Sequence, residues 1–147
     1  GVGDAVHVEA ILTGRPRESV ARHRGDDDVE RVRRLAAIEN FGATPDRECN
    51  DGLLEVKCPT TTTYLEWVMG GVVPEQHKPQ MCAQLLCTGK AWCGFIAYDP
   101  RIKIESQRLF MRKYEPSTEE LQAVETAAKT FLDELDAMFD AFVSVAA

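Results

Sequence analysis

The chain has 147 residues, of which 44% are hydrophobic and 28% charged, and this composition suits one globular domain with its own core. No apolar run reaches the ~18 residues of a transmembrane helix, and residues 1–9 lack the basic start and apolar run of a signal peptide, so no membrane association is expected. The five cysteines include no Cys-x-x-Cys pair, so we expect reduced thiols in a cytoplasmic protein rather than disulfides or a zinc site.

The formal net charge of −7 argues, by itself, against a nucleic-acid partner. The acidic residues are concentrated near the C-terminus, where residues 117–142 hold seven acids and one lysine and therefore carry −6. The rest of the chain is left nearly neutral, at about −1. Because net charge governs non-specific association rather than what a local groove binds, a DNA partner stays open.

Taken in order, the first part of the chain predicts two helices. Residues 4–12 have the pattern of a short helix, and residues 26–39 that of a second one with Glu30 near its start. In the second segment the leading aspartates favour a helix N-terminus, and the apolar residues recur at roughly helical spacing. Between these helices the chain is basic and irregular.

The clearest strand covers residues 53–58, and Pro59 ends it. Asn50-Asp51-Gly52 is a turn signal, so residues 40–43 are predicted to form the other half of a hairpin. The remaining predictions are helices at 61–69 and 79–88, strands at 92–98 and 106–114, and a C-terminal helix with the capping box Ser117 and Glu120. This order of elements predicts an α/β fold with a mixed central sheet flanked by helices.

Two opposite charges interrupt the apolar strand at Glu55 and Lys57. Side chains alternate along a strand, so both point to the same face, where burying them without a purpose is costly. Asp46, in the turn-rich loop before the strand, can fold back to join them. Two carboxylates beside a lysine could hold a hard divalent cation. The alternative is a solvent-facing ion pair worth about 0–1 kcal/mol.

Two other charged segments leave alternatives open. The basic stretch from Arg101 to Lys113 could follow a DNA backbone or could protect an exposed sheet edge by its charge. The acidic C-terminal helix is expected to pack through an amphipathic face and to expose the other face to solvent, with a partner or subunit interface as the alternative. Trp67 and Trp92 are expected in the core, and His77 is the histidine expected to approach the groove.

Several motifs, in the same order, resemble those of one family. Thr44-Pro45-Asp46 followed by Glu55-Val56-Lys57 matches the Pro-Asp…(Asp/Glu)-x-Lys signature of a large nuclease superfamily. More specific matches are the segment 53–59 (Leu-Leu-Glu-Val-Lys-Cys-Pro), the glutamines and Thr-Gly of 80–89 followed by Trp92, and the turn 98–101 (Tyr-Asp-Pro-Arg). Together they resemble the phage lambda exonuclease (viral recombinase) family over about residues 5–114.

The resemblance implies a restriction-endonuclease-like nuclease core that spans residues 1–147 as a single domain. It implies a Mg²⁺-dependent exonuclease, with Mn²⁺ able to substitute, that uses a two-metal site to degrade double-stranded DNA from its 5′ ends. The expected partners are double-stranded DNA ends and a single-strand annealing protein, and the expected assembly is a homo-oligomer in the form of a trimeric ring. The implied biological process is phage-type recombination.

The resemblance also assigns roles to individual residues. Asp46 and Glu55 would ligate the metal ions with help from the Val56 carbonyl, and Lys57 would orient or activate the attacking water. Glu30 would support a second metal ion.

Three further residues receive binding roles by the same resemblance. Gln80 would position the water or the scissile phosphate, and Thr44 would lie near the 5′ phosphate. Arg47 stands where the family usually has glycine, and it would either be solvated, narrow the entrance or add a phosphate contact. Gln84 is expected on a helix surface or in a subunit contact.

The chain also departs from the family pattern upstream of the nuclease signature. The spacing from Gly25 to Glu30 is one residue longer than usual, and the interval from Glu30 to Asp46 is shorter than expected. The family's leading Arg-x-x-x-Ile-x-Ala-Ser segment is not seen before Gly1, so either the protein diverges there or the sequence omits part of a longer chain. Two alternative functions stay open: an endonuclease or repair nuclease of the same superfamily, and a catalytically silent DNA-binding subunit.

Overall fold

The structure, a computed structural model, describes residues 33–34, 38 and 41–146. The predicted helix at 4–12 and Glu30 therefore lie outside the described residues. Two short strands, β1 (Arg33–Arg34) and β2 (Gly42–Ala43), pair antiparallel with each other. The prediction of a helix over residues 26–39 is thus wrong at Arg33 and Arg34, because backbone pairing with β2 overrides a helical pattern that is only a weak local preference.

A second sheet has four strands in the order β3 (Arg47–Glu48), β4 (Gly52–Lys57), β5 (Trp92–Tyr98) and β6 (Leu109–Tyr114). The central pair β4 and β5 is parallel, and both outer pairs are antiparallel. A parallel pair needs a crossover connection, and here the crossover carries two helices. The predicted mixed sheet flanked by helices is confirmed.

The hairpin before the central strand differs from the prediction. Its first strand is β3 rather than residues 40–43, and a hydrogen bond from the Cys49 N–H to the Gly52 carbonyl closes the turn at 2.8 Å. Lys90 Nζ also donates to the Asn50 carbonyl at 3.0 Å and holds the turn in place. The turn at residues 49–52 places β3 directly beside β4. The segment 40–43 lies further from the turn, before Pro45, which has no N–H to donate to a neighbouring strand.

Each helix of the crossover is followed by a glycine in a left-handed conformation. Helix α1 (Thr61–Gly70) ends before Gly71 at φ 69°, and helix α2 (Lys78–Thr88) ends before Gly89 at φ 68°. Glycine adopts the left-handed conformation with little strain because it has no side chain. The N–H of each of these glycines donates to a carbonyl in the last turn of the helix before it. A short 3₁₀ turn, Glu75–His77, links the two helices.

The hydrophobic core lies between the sheet and these helices. Leu53 and Phe95 from the sheet, Tyr64 from α1 and Met81 from α2 are almost completely buried in it. The predicted strand at 106–114 is shorter than expected, because Glu105–Gln107 forms a 3₁₀ turn before β6 begins. No disulfide links any of the five cysteines, all of which lie in the described part.

The last helix, α3 (Thr118–Ala146), begins with the predicted capping box. The Ser117 N–H donates to the Glu120 carboxylate at 2.8 Å, and the Glu120 N–H donates to Ser117 Oγ at 3.2 Å. Its first half packs apolar side chains against the core, whereas large apolar side chains of the second half are exposed, among them Phe139 and Phe142. Within residues 41–146 no helix is long and apolar enough to cross a membrane.

Candidate active site

The central strand β4 presents a carboxylate and an ammonium on one face, as the alternation of its side chains predicts. Glu55 is only 1% exposed, and Lys57, which forms an ion pair with it, keeps 27% of its side chain exposed. Val56, between them, points to the opposite face and is exposed. The buried side of the strand therefore carries a charged pair in which Lys57 is partly exposed and Glu55 is buried.

Two glutamines from α2 complete the surroundings of the Glu55 carboxylate. Gln80 Nε2 donates to Glu55 Oε1 at 2.9 Å, and Gln84 Nε2 donates to Glu55 Oε2 at 2.7 Å. Gln80 Oε1 in turn accepts a hydrogen bond from Lys57 Nζ at 3.2 Å. Residues four apart lie on the same face of a helix, so one face of α2 supplies both amides. Hydrogen bonds to an ionised group are stronger than neutral ones, and these hold the carboxylate in a single orientation.

Gln84 does not lie where the sequence analysis expected it. It is 2% exposed rather than on the helix surface, and it contacts Glu55 within the same chain. The signal that could have located it was its spacing of four residues from Gln80, since a functional first glutamine places the second one on the same helix face.

Asp46 reaches the same strand from the preceding loop. Its Oδ2 accepts a hydrogen bond from the Val56 N–H at 2.7 Å, in the place where a longer β3 would continue the ladder. The N–H and carbonyl of one strand residue point to the same side of the strand, so the Val56 carbonyl lies on the side of β4 from which Asp46 approaches. This hydrogen bond brings Asp46 to the strand that carries Glu55 and Val56.

Aromatic rings and a thiol surround the charged cluster. The ring of His77 stacks on Phe95, with centroids 5.3 Å apart, and meets the edge of Trp67 at 5.1 Å. Burial lowers the pKa of His77, and the nearby Lys57 ammonium lowers it further against the opposing effect of the Glu55 carboxylate. Burial raises the pKa of Cys93 to about 12, with the carboxylates of Glu55 and Asp46 adding to the shift, so this thiol beside the cluster stays protonated.

The turn after β5 fastens the end of the strand that carries the charged pair. Asp99 is fully buried and accepts hydrogen bonds from Arg101 at its backbone N–H (3.0 Å) and Nε (2.6 Å). Arg101 Nη2 also donates to the carbonyl of Pro59 at 2.6 Å, two residues beyond Lys57. The hydrogen bond from the Arg101 side chain lowers the pKa of Asp99 to about 2. The Tyr98-Asp99-Pro100-Arg101 sequence therefore has a structural role: its hydrogen bonds connect the turn after β5 to the chain that follows β4.

Three of the basic residues after this turn, Arg108, Arg112 and Lys113, are engaged in local contacts. Arg108 Nε donates to the Ile102 carbonyl at 2.7 Å, Arg112 Nε to the Gly71 carbonyl at 2.6 Å, and Lys113 pairs with Glu115 at 2.6 Å. Among the strands of the described residues, β6 lies at an edge of its sheet. These contacts favour the edge-protection alternative over a continuous phosphate track, because cations that are already bonded to carbonyls and carboxylates are less available to a phosphate.

The other predicted site residues are placed as follows. Thr44 is exposed in the loop two residues before Asp46. Arg47 is exposed on the edge strand β3, opposite Leu54. Glu30 lies outside the described residues. Thr44 and Arg47 are thus both exposed and lie within two residues of Asp46 in the sequence.

The donors at the cluster suit a hard cation. Carboxylate and carbonyl oxygens are the ligands that Mg²⁺ prefers, and Mg²⁺ usually keeps several waters and needs only one or two carboxylates. In residues 41–146 no group of three or more His, Cys, Asp or Glu side chains could hold a metal ion. The oxygen donors described at the cluster are the carboxylates of Asp46 and Glu55 and the carbonyl of Val56. These residues fit a cation that completes its coordination with water and substrate oxygens.

Comparisons with known proteins point in one direction. The chain matches the family model of the YqaJ-like viral recombinase domain over residues 4–91, which is more than half of its length. The comparison with curated proteins gave no match.

Among solved structures, the chain is similar to the alkaline exonuclease LHK-Exo from Laribacter hongkongensis, with 33% identity and a TM-score of 0.74. That match covers 78% of this chain and 59% of the other. A structure of LHK-Exo in complex with dAMP matches with 34% identity and a TM-score of 0.70, over 74% of this chain and 56% of the other. The chain thus spans less than two thirds of the length of these exonuclease structures. The match to the family model, together with this likeness, shows that the chain belongs to the YqaJ-like viral recombinase domain family.

Proposed function

We propose that the protein is a deoxyribonuclease that degrades double-stranded DNA from its ends. The observation that carries the proposal is the cluster on β4, where Glu55 and Lys57 are paired, bonded by two glutamines and approached by Asp46. The likeness to an alkaline exonuclease supports the same function. LHK-Exo also forms a complex with dAMP, a mononucleotide of the kind that an exonuclease releases, which supports cleavage at a chain end.

The residues of the cluster have distinct parts in the proposed reaction. Asp46, Glu55 and the Val56 carbonyl would hold Mg²⁺, or Mn²⁺ in its place. When bound, the cation would lower the pKa of a water and neutralise charge on the phosphate. Lys57 has three N–H donors, of which Glu55 and Gln80 take two, and its exposed end leaves the third for the attacking water or a phosphate oxygen. A positive charge fixed at that point stabilises the anionic nucleophile.

Gln80 links the two charged residues of the pair. Its amide accepts from Lys57 and donates to Glu55, so it keeps the ammonium and the carboxylate in a fixed relation. A half-buried amide at this point could also orient the water or the scissile phosphate. Such preorganisation lowers the cost of arranging the reacting groups at the moment of reaction.

The proposal extends to finer features of the reaction and the assembly. Glu30 would support a second metal ion, Thr44 would lie near the 5′ phosphate, and Arg47 would meet the DNA at the entrance. Cleavage would proceed from 5′ to 3′ and supply single strands to an annealing protein in phage-type recombination. A single nuclease domain assembled as a trimeric ring in the cytoplasm would retain the duplex during successive cleavages.

End-labelled linear duplex DNA and covalently closed circular DNA separate this proposal from its nearest alternative. We expect Mg²⁺-dependent release of mononucleotides from the linear duplex and no cleavage of the circle, with faster release from ends that carry a 5′ phosphate. Nicking or linearisation of the circle would instead identify an endonuclease. Binding of duplex DNA without any cleavage, in the presence of Mg²⁺ or Mn²⁺, would identify a catalytically silent subunit.

A further inference from the structure

Gln84 is a buried polar residue for which the proposed chemistry has no direct use. It does not reach solvent, being 2% exposed, and its only described side-chain hydrogen bond runs from Nε2 to Glu55 Oε2 at 2.7 Å. Its Oε1 is buried and has no hydrogen-bond partner among the described residues. An amide oxygen left unpaired in the interior is unfavourable, whereas an apolar side chain of similar size would avoid that cost. The bond to Glu55 is therefore what the glutamine contributes at this position.

The orientation of the Gln84 amide is fixed by chemistry. The reverse orientation would place Oε1 against a carboxylate oxygen, and two acceptors repel each other. The Glu55 carboxylate thus selects the N–H₂ end of the amide, even though this leaves the other end unpaired. The contact is directional, from Gln84 to Oε2 of Glu55.

The two carboxylate oxygens of Glu55 differ in the number of polar contacts that they accept. A carboxylate offers about four lone-pair sites, two on each oxygen. Lys57 and Gln80 both approach Oε1, whereas Gln84 is the one residue of the described part of the chain that approaches Oε2. Oε2 therefore keeps one lone pair, and the direction of that lone pair is set by the bond from Gln84.

We propose that Gln84 is a positioning residue that directs Glu55 Oε2 toward the divalent cation of the site. It touches neither DNA nor the reacting atoms and acts only through Glu55. The inference rests on the proposed function, because it requires a cation at the Asp46 and Glu55 cluster. Residues that hold a metal ligand in place affect metal affinity by about 10–100-fold in other proteins, and a change of this size is expected here.

The test compares Gln84→Met, which keeps the side-chain length and removes the donor, with Gln84→Asn, which withdraws the donor by one methylene. Met81→Leu is the matched control, because Met81 is fully buried on the same helix and packs in the hydrophobic core, whereas the described hydrogen bonds from this helix to Glu55 come from Gln80 and Gln84. Mn²⁺ binding is measured by titration calorimetry on the DNA-free protein, and the Mg²⁺ dependence of nucleotide release is measured separately.

Both Gln84 variants should bind Mn²⁺ about 10–100-fold more weakly than the wild type and the control. The Mg²⁺ concentration for half-maximal cleavage should rise by a similar factor, with an unchanged KM for DNA and much of kcat recovered at saturating Mg²⁺. Wild-type Mn²⁺ affinity in either folded variant would overturn the inference, and so would unfolding of both variants, since Gln84 would then be structural. If the wild type neither binds Mn²⁺ nor degrades DNA, the proposed function itself fails.

Discussion

The ion pair on β4 should respond very differently to the loss of either partner. Lys57→Met leaves the carboxylate of Glu55, which is 2% exposed, without its counter-charge, whereas Glu55→Gln leaves an ammonium that is already 27% exposed and can turn to water. Removing one partner of a buried pair costs about 3–5 kcal/mol when the remaining charge is trapped. Gln80 and Gln84 continue to donate to the carboxylate, so Lys57→Met should lie near the lower limit, at about 3 kcal/mol.

The neutral replacement of Glu55 should cost little. The amide oxygen of the substituted residue can still accept the hydrogen bond from Gln80. Its N–H₂ group can donate to Gln84 Oε1, which has no partner in the wild type, once the Gln84 amide rotates by half a turn. The buried charge is removed at the same time, so the free energy of unfolding should stay within about 1 kcal/mol of the wild type. Glu55→Gln should nevertheless abolish cleavage, because a neutral amide is a poor ligand for a hard cation.

Urea denaturation followed by circular dichroism measures both variants. We expect the free energy of unfolding of Lys57→Met to fall by about 3 kcal/mol, equivalent to a fall in Tm of roughly 6–12 °C for a chain of this size. Glu55→Gln should retain the wild-type midpoint. A Lys57→Met variant as stable as the wild type would refute this reasoning, and so would a Glu55→Gln variant that loses as much stability as Lys57→Met. Either result would mean that the buried Glu55 carboxylate does not depend on its counter-charge more than the partly exposed Lys57 ammonium does.

Three further predictions concern the framework that holds the cluster. The pKa of Asp99 is about 2 in the fold and ordinarily 3.8, so the ionised Asp99 carboxylate stabilises the protein above pH ~4. This contribution is lost as the pH falls from about 4 to 2, so the urea midpoint of the wild type should drop over that range. In Asp99→Asn the midpoint should depend less on pH over the same range. Tyr64→Phe removes the 2.6 Å bond from the buried hydroxyl to the Gln107 carbonyl and should cost about 1–2 kcal/mol in urea denaturation, whereas an unchanged midpoint would show that water replaces the bond. Gly52→Ala places a methyl group against the Trp92 ring and should lower stability by about 1–3 kcal/mol with a change in tryptophan fluorescence, and a neutral effect would mean that the ring moves aside freely.

The sequence was sufficient for the parts of the fold that local rules decide. Strand β4 and the two crossover helices were predicted within a residue or so, because a proline, two glycines and the spacing of apolar residues mark their ends. The cap of α3 was predicted from Ser117 and Glu120 and is present as a reciprocal pair of hydrogen bonds. The meeting of Glu55 and Lys57 on one face followed from the two-residue period of a strand.

The errors came where long-range pairing decides the structure. Whether residues 40–43 or Arg47–Glu48 pair with β4 depends on the register of the sheet, which local turn signals do not specify. The pairing of Arg33 and Arg34 with β2 likewise overrides a helical pattern. Gln84 was placed on the surface because its partner, Glu55, is 29 residues away in the sequence.

The most direct test of the central claim is the rate of nucleotide release from linear duplex DNA with Mg²⁺, measured for the wild type and for Asp46→Asn. This substitution keeps an acceptor for the Val56 N–H and removes one of the two carboxylate charges at the cluster. The account predicts Mg²⁺-dependent release by the wild type and a loss of at least ~100-fold in the variant, with unchanged circular dichroism and Tm. Undiminished cleavage by a folded Asp46→Asn variant would contradict the assignment of the site.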